Sequence, residues 1–364
     1  MKIVVSGYYG FNNSGDDALL AAIIEDIRSA DAKVDITILS NSPKDTKGIY
    51  NTKAVYRYNI FSVLYEIATC DVLLSGGGTL IQDATSTKSL YYYLSIIKLA
   101  KLFRKKVMLY ANGIGPLKSF KNIETTKNVL NEVDLITLRD ENSQKELERI
   151  GVNQPEIHLT ADPAFLINPN DAGDDIFENY GIPKDKEILC VSVRRAKNSP
   201  ANFEQIIADF CDYACDKHGL FTVFLPMQQR VDYSIAASIK NKMKNRSVVI
   251  GTNYQAASML SLISKMKICL GMRLHTLIYA SSCNVPIIGI VYDPKVNGFL
   301  EYVGEENYIT TEDITREKLC EYLDKVCADY DSIKSHLKYN VRIMQNKARE
   351  NAELLKGLLG GGKR

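Results

Sequence analysis

Short apolar runs, each ending in a turn of Gly, Asn or Asp and then giving way to a helical pattern, recur along the chain and leave little choice of fold. In the first half they are Ile3–Ser6, Asp35–Leu39, Val55–Tyr58, Val72–Ser75, Val107–Tyr110 and Leu135–Leu138, with a helix predicted over Asp17–Ala30. Continuous rather than alternating apolar runs mean strands covered on both faces, and strand-then-helix order means parallel βα units. The series restarts at Ile188–Val193, Phe221–Leu225, Val248–Ile250, Ile268–Gly271 and Pro286–Val291, with helices over Asn202–His218 and Gln255–Ser264. Between the two series, residues 162–187 are rich in Pro, Asn, Asp and Gly and read as a linker.

The expected architecture is α/β: two Rossmann-like domains facing across a cleft, over residues 1–165 and 175–325. Helices should follow over 326–358, and glycines should end them in a disordered tail over 359–364. In such folds ligands bind at the carboxyl ends of the strands. A length of 364 residues with 46% hydrophobic content suits two cores. The net charge of +2 argues against a nucleic-acid binder, which carries a strong basic excess. The eight cysteines form no CxxC pair, and Cys211 and Cys215, one helical turn apart, read as small apolar residues on a buried face. Together with a start that lacks a secretory leader and a chain that lacks a long uncharged apolar run, this predicts a reducing, cytoplasmic setting.

The chemistry-bearing residue types gather at strand ends. After the first strand comes Gly7-Tyr8-Tyr9-Gly10-Phe11-Asn12-Asn13-Ser14-Gly15-Asp16-Asp17, a turn that admits close backbone approach and opens a helix. Either Asp16 or Asp17 caps that helix, or they serve a ligand. Ser75-Gly76-Gly77-Gly78-Thr79 follows another strand, and its bare glycines leave backbone N–H groups open to a bound group. Asn112-Gly113-Ile114-Gly115-Pro116 repeats that pattern less specifically, and Arg139 either faces the cleft or pairs with Asp140 or Glu141. In the second half, Arg194 and Arg195 end one strand. Arg273 and His275 stand two residues apart between a strand and a helix, offering an anion fork beside a group that titrates near neutrality. His158, His218 and His336 have no such setting and read as structural or exposed.

Taken in order, Asn12-Asn13-Ser14-Gly15-Asp16-Asp17, the Ser75–Thr79 turn, the Asn112–Pro116 turn, Leu138-Arg139-Asp140 and Met272-Arg273-Leu274-His275 resemble the polysaccharide pyruvyltransferase family over roughly residues 1–300. Within it the chain looks closest to the CsaB-type enzymes, which ketalise N-acetylmannosamine in the secondary cell-wall polymers that anchor S-layers. The resemblance implies a glycosyltransferase-B-like fold, phosphoenolpyruvate as donor and co-substrate, no cofactor and no metal. It further implies a sugar acceptor on a lipid pyrophosphate. On that reading His275 is the acid/base and Arg273, Arg194 and Arg195 clamp the donor; alternatively Asp16 or Asp17 activates the sugar hydroxyl. Asn12, Asn13, Ser14, Gly15, Gly76, Gly77, Gly78, Thr79, Asn112 and Arg139 would line the substrate sites.

The competing readings are a nucleotide-sugar glycosyltransferase or epimerase on the same scaffold, and a glycan- or anion-binding module without catalysis. Residues 90–106 combine aromatic and aliphatic bulk with a basic end, Lys101, Arg104, Lys105 and Lys106. They read as a packed helix with a dipole-matched terminus, and peripheral contact with the inner membrane face is the alternative.

Overall fold

A computed structural model describes residues 1–84 and 86–360. The chain divides into two compact units: Met1–Leu166 with Met344–Arg364, and Ile167–Ile343.

The first unit holds strands β1 (Lys2–Ser6), β2 (Asp35–Ser40), β3 (Lys53–Tyr56), β4 (Val72–Ser75), β5 (Gly78–Ile81), β6 (Lys106–Ile114), β7 (Leu135–Leu138) and β8 (Glu156–Leu159). Its helices are α1 (Ser14–Ala30), α2 (Pro43–Tyr50), α3 (Ile60–Thr69), α4 (Thr87–Leu102), α5 (Phe120–Leu130) and α6 (Glu141–Ile150). The strands pair in parallel in the order β3-β2-β1-β4-β6-β7-β8, with β5 against β6. Both faces are covered, which is why the strand sequences do not alternate. Ile3, Val5, Ile38, Leu74, Met108 and Tyr110 point to one core with α1. Val4, Leu73, Val107 and Leu109 point to the other, with α3, α4 and the helices after it.

The second unit holds β9 (Ile188–Ser192), β10 (Phe221–Phe224), β11 (Ser247–Val249), β12 (Ile268–Gly271), β13 (Ile287–Val291) and β14 (Tyr308–Thr310). Its helices are α7 (Ala172–Asn179), α8 (Phe203–His218), α9 (Gln229–Lys242), α10 (Ala256–Ile263), α11 (Leu274–Ser282), α12 (Pro294–Tyr302) and α13 (Arg316–Ala328). The parallel order β11-β10-β9-β12-β13-β14 is that of a dinucleotide-fold sheet. Helix α14 (Tyr330–Gly360) begins in this unit and ends in the first, where Leu355 joins the core beside α1.

Several expectations shift. Residues 112–114 continue β6 instead of starting a turn, because β5 runs beside them and extends the sheet. The predicted linker contains α7, and its Asp162 belongs to the first unit, where it is a buried partner of Arg139. Leu359 and Gly360 are helical, since Leu358 and Leu359 pack against the core beside Leu355; residues 361–364 of the expected tail lie outside the described residues. Helix α4 turns Leu90, Tyr93, Leu94, Ile96 and Ile97 into the core, and Lys101 binds Asp134 at 2.8 Å. Among the described residues no helix is long and apolar enough to cross a membrane.

Candidate functional site

Each sheet reverses its strand order once, between β1 and β4 and between β9 and β12. Loops leaving the carboxyl ends of strands at such a reversal diverge and leave a crevice, the usual ligand position in this fold class. The Gly7–Asp17 and Ser75–Thr79 segments flank the first reversal, and Val193–Arg195 and Met272–His275 flank the second.

In the first unit, Asn13 caps α1, its side chain accepting from the Gly15 N–H at 3.2 Å. Neither Asp16 nor Asp17 is the cap; both carboxylates lie in the first turn. Asn12 is exposed at φ 57°, and Ser14 is buried at the helix start. Asp16 reaches over the glycine turn: its Oδ1 stands 3.0 Å from where a Gly78 β-carbon would sit. Burial pushes Asp17 up to about 7, with the Tyr50 hydroxyl donating to its backbone carbonyl at 3.1 Å.

The three glycines have internal reasons. A β-carbon at Gly76 would overlap the Tyr9 hydroxyl, one at Gly77 would press on Leu19, and Gly78 has a φ of +96°. The Gly76 N–H is spent on the Ser6 carbonyl at 2.7 Å. Asn112 is fully buried, donating to the Ser75, Gly76 and Tyr110 carbonyls. The bonds to Ser75 and Gly76 tie the end of β4 to β6. Arg139 is likewise buried: Nη1 binds Asp162 at 2.9 Å, Nη2 donates to Thr79 Oγ1 at 2.9 Å, and Asp140 is more distant at 3.7 Å. Arg139 thus pins the glycine turn through Thr79.

Sequence reasoning missed Arg57, which follows β3. It is 4% exposed, donates to the Gly7 carbonyl at 3.1 Å, and lies among the rings of Phe11, Tyr58, Tyr92 and Tyr93. The Tyr-Arg-Tyr alternation reads as strand, so nothing local announced a buried cation.

In the second unit, Arg273 is the N-terminal flanking residue of α11, and no side chain caps the helix. Its guanidinium forks onto Asp232 of α9, through Nε at 3.0 Å and through Nη2 to the other oxygen. Asp232 is 1% exposed and also accepts from the Gln228 N–H at 3.0 Å, so it sets the arginine's orientation. It too was missed, because one acidic residue inside an ordinary helix carries no sequence signal. His275 lies half-buried on the first turn, its ring 6.3 Å from that of Tyr279. Thr276 anchors the turn to Ser192 at the end of β9, at 2.9 Å. The adjacent arginines diverge. Arg194 lies over Tyr292 at 5.0 Å with its backbone N–H on Met272 Sδ, whereas Arg195 is 69% exposed and pairs with Glu204 at 2.8 Å. Among the three, only Arg194 has no carboxylate partner among the described residues. His158, His218 and His336 are engaged elsewhere, with Glu156, Asp324 and Asn340.

The two helix mouths therefore differ in charge. Helix α1 opens with a side-chain cap and two acidic residues, of which Asp17 is pushed up to about 7. Helix α11 opens uncapped and with no acid in its first turn, its Arg273 paired with Asp232 and the nearby Arg194 without a carboxylate partner among the described residues. Positive helix ends attract anions, and carboxylates in the first turn cancel that attraction.

Comparison with known proteins agrees with this frame. The chain is 20% identical to the amylovoran biosynthesis protein AmsJ of Erwinia amylovora, over 98% of this chain and all of that one. Among solved structures it resembles S. aureus MnaA bound to UDP (TM-score 0.70, 12% identity, 99% of this chain and 97% of that one). It also resembles Anabaena HepE with UDP and glucose (TM-score 0.67, 11% identity, 99% and 100%). At such identities these two structures establish only the fold, a glycosyltransferase-B-like pair of parallel sheets. The model of the polysaccharide pyruvyl transferase family matches residues 13–294, a stretch that holds the Asn13–Asp17 helix opening, the glycine turn, Arg139 and Arg273-Leu274-His275, and the chain belongs to that family.

Proposed function

We propose that this pyruvyltransferase takes the pyruvyl group of phosphoenolpyruvate and closes it as a 4,6-linked ketal on β-N-acetylmannosamine of a lipid-pyrophosphate-linked cell-wall polymer precursor. The observation that carries the reading is the contrast between the helix mouths. The donor is a small ligand with both a carboxylate and a phosphate, and the α11 mouth with Arg273 and Arg194 suits it. The acceptor's reacting group is neutral, and the acidic α1 mouth suits a hydroxyl that must give up a proton.

In the proposed sequence His275 protonates the donor's methylene carbon. One sugar hydroxyl, relieved of its proton by Asp16, adds to C2. The second hydroxyl then displaces phosphate, giving its proton back to His275, and the proton held by Asp16 leaves with the phosphate, completing the ketal. Asp16 is preferred over Asp17 because its carboxylate overhangs the Gly76–Gly78 turn, while Asp17 is packed beside Tyr50. The reaction needs no resident cofactor. An acceptor on a lipid carrier would place the enzyme at the inner membrane face.

The test is release of inorganic phosphate from phosphoenolpyruvate, with and without an acceptor ending in β-N-acetylmannosamine. Acceptor-dependent release is expected, reduced about 10²–10⁴-fold in His275→Ala, the range typical of a lost general acid. Turnover of a UDP-sugar without phosphoenolpyruvate consumption would overturn the reading.

A further inference from the structure

The cage around Arg57 is more than the first unit's core requires. The guanidinium stands 4.2 Å from the centre of Tyr92, 5.3 Å from Tyr58 and 5.4 Å from Phe11 and Tyr93. Nη2 reaches the Tyr93 hydroxyl at 3.4 Å, and Nε finds no partner among the described residues. A buried cation without a carboxylate is unfavourable, and ring faces offset only part of that. What the arginine secures is the pose of the rings.

Those rings make a wall. Tyr56, Tyr58, Tyr92 and Tyr93 follow one another edge to face, at 5.7, 5.6 and 5.2 Å between centroids. Tyr8 and Phe11 stack flat at 4.0 Å on the β1–α1 loop, and the Tyr92 hydroxyl donates to the Arg57 carbonyl at 3.3 Å. Tyr93 is the buried end of that wall; Tyr92, Tyr8 and Phe11 are half-buried, and Tyr56 and Tyr58 face outward, Tyr58 being 60% exposed. A rigid aromatic surface rimmed by hydroxyls complements a pyranose, which has an apolar C–H face and polar edges. Asp16 is close enough for its charge to act on Tyr8, Tyr9 and Tyr93, which opposes an anion there and suits a neutral ligand.

We propose that Tyr58, Tyr92 and the Tyr8–Phe11 stack form a second sugar subsite, binding the ring next to the one that reacts at Asp16. The inference rests on the reading of the first unit as the acceptor side. It makes the enzyme prefer an acceptor of at least two sugars.

The probes are methyl β-N-acetylmannosaminide and a disaccharide methyl glycoside with β-N-acetylmannosamine linked to N-acetylglucosamine. Phosphate-release kinetics should give the disaccharide a KM about tenfold lower. Tyr58→Ala should erase that advantage and Tyr58→Phe should keep it. Equal KM values for both acceptors in the wild-type enzyme, or an undiminished disaccharide preference in Tyr58→Ala, would overturn the subsite. Saturation-transfer NMR on the same disaccharide separates this from a failure of the reaction itself. Magnetisation reaching both rings in wild type and only the terminal ring in Tyr58→Ala supports the subsite even without turnover; no transfer to the second ring refutes it. A bilayer is the rival occupant, since Ile60 and Phe61, exposed at the start of α3, follow Tyr58 closely in the chain. Binding to phosphatidylglycerol vesicles that is lost in Tyr58→Ala, with disaccharide contacts unchanged, would assign the wall to lipid and refute the proposal.

Discussion

Asp16 and Asp17 are neighbours in the first turn of α1, and the burial of Asp17 is measurable through pH. Folded Asp17 holds its proton up to about 7, whereas an unfolded aspartate releases it near 4. Across that window the folded state binds more protons, so stability falls as pH rises and stays reduced above it. Asp17→Asn should therefore have a higher Tm than wild type at pH 8, with the gap closing below about pH 4; thermal melts at the two pH values check it. Gly76 gives a second test. A β-carbon there would collide with the Tyr9 hydroxyl, so Gly76→Ala should lose about 1–3 kcal/mol, the usual overpacking range. Because the clash is with the ring's end, Tyr9→Leu in the same chain should recover part of it, which denaturant melts of the double mutant would show. Glycine spacing drew attention to this turn, but the sequence could not say that Tyr9 and Leu19 were what the glycines accommodate. Asn112 drew attention through the glycines beside it and Arg139 through its place after an apolar run, while their burial was not legible: Asn112 read as the start of a turn but lies within β6, and Arg139 follows β7, where polar residues ordinarily meet solvent.

At the scale of elements, the apolar runs gave nearly every central strand, because strands covered on both faces leave an unbroken hydrophobic signature. The missed ones, β5, β8 and β14, are short, and β8 is only half-buried, so neither length nor hydrophobicity marked them. Strand order was invisible in sequence, and it is the order that places the Gly7 and Ser75 turns at one reversal and Arg194 and Arg273 at the other. A further element-level dependence is Asp83, which lies beyond β5 and steadies the start of α5. It accepts from the Lys118 and Ser119 N–H groups and from Asn122 Nδ2, the last at 2.8 Å. These bonds hold its carboxyl below the usual aspartate range despite an opposing effect of burial. Its contribution is present above the unfolded pKa and lost as pH falls through the lower folded one. Asp83→Ala should speed amide exchange in the first turn of α5 at neutral pH while leaving α8, in the other unit, unchanged; hydrogen-exchange mass spectrometry reads both.

At the scale of the whole molecule, the first unit is assembled from both ends of the chain and the second is contained within it. Leu355, fully buried beside α1, ties the last helix into the core that Ile3, Val5 and Leu74 build. Deleting the chain after Ile343 should therefore lower the first unit's melting transition more than the second's, which differential scanning calorimetry can resolve. The same arrangement has a consequence during synthesis. At about 5–20 residues per second, the roughly 190 residues separating Leu166 from Leu355 take on the order of ten to forty seconds to emerge from the ribosome. Through that interval the core that Met108 and Tyr110 share with α1 is already made except for Leu355 and the partly buried Leu354, Leu358 and Leu359, which are not yet translated. A nascent chain stalled there would present an unfinished apolar face to a holding chaperone, and release would come only with the final turns of α14.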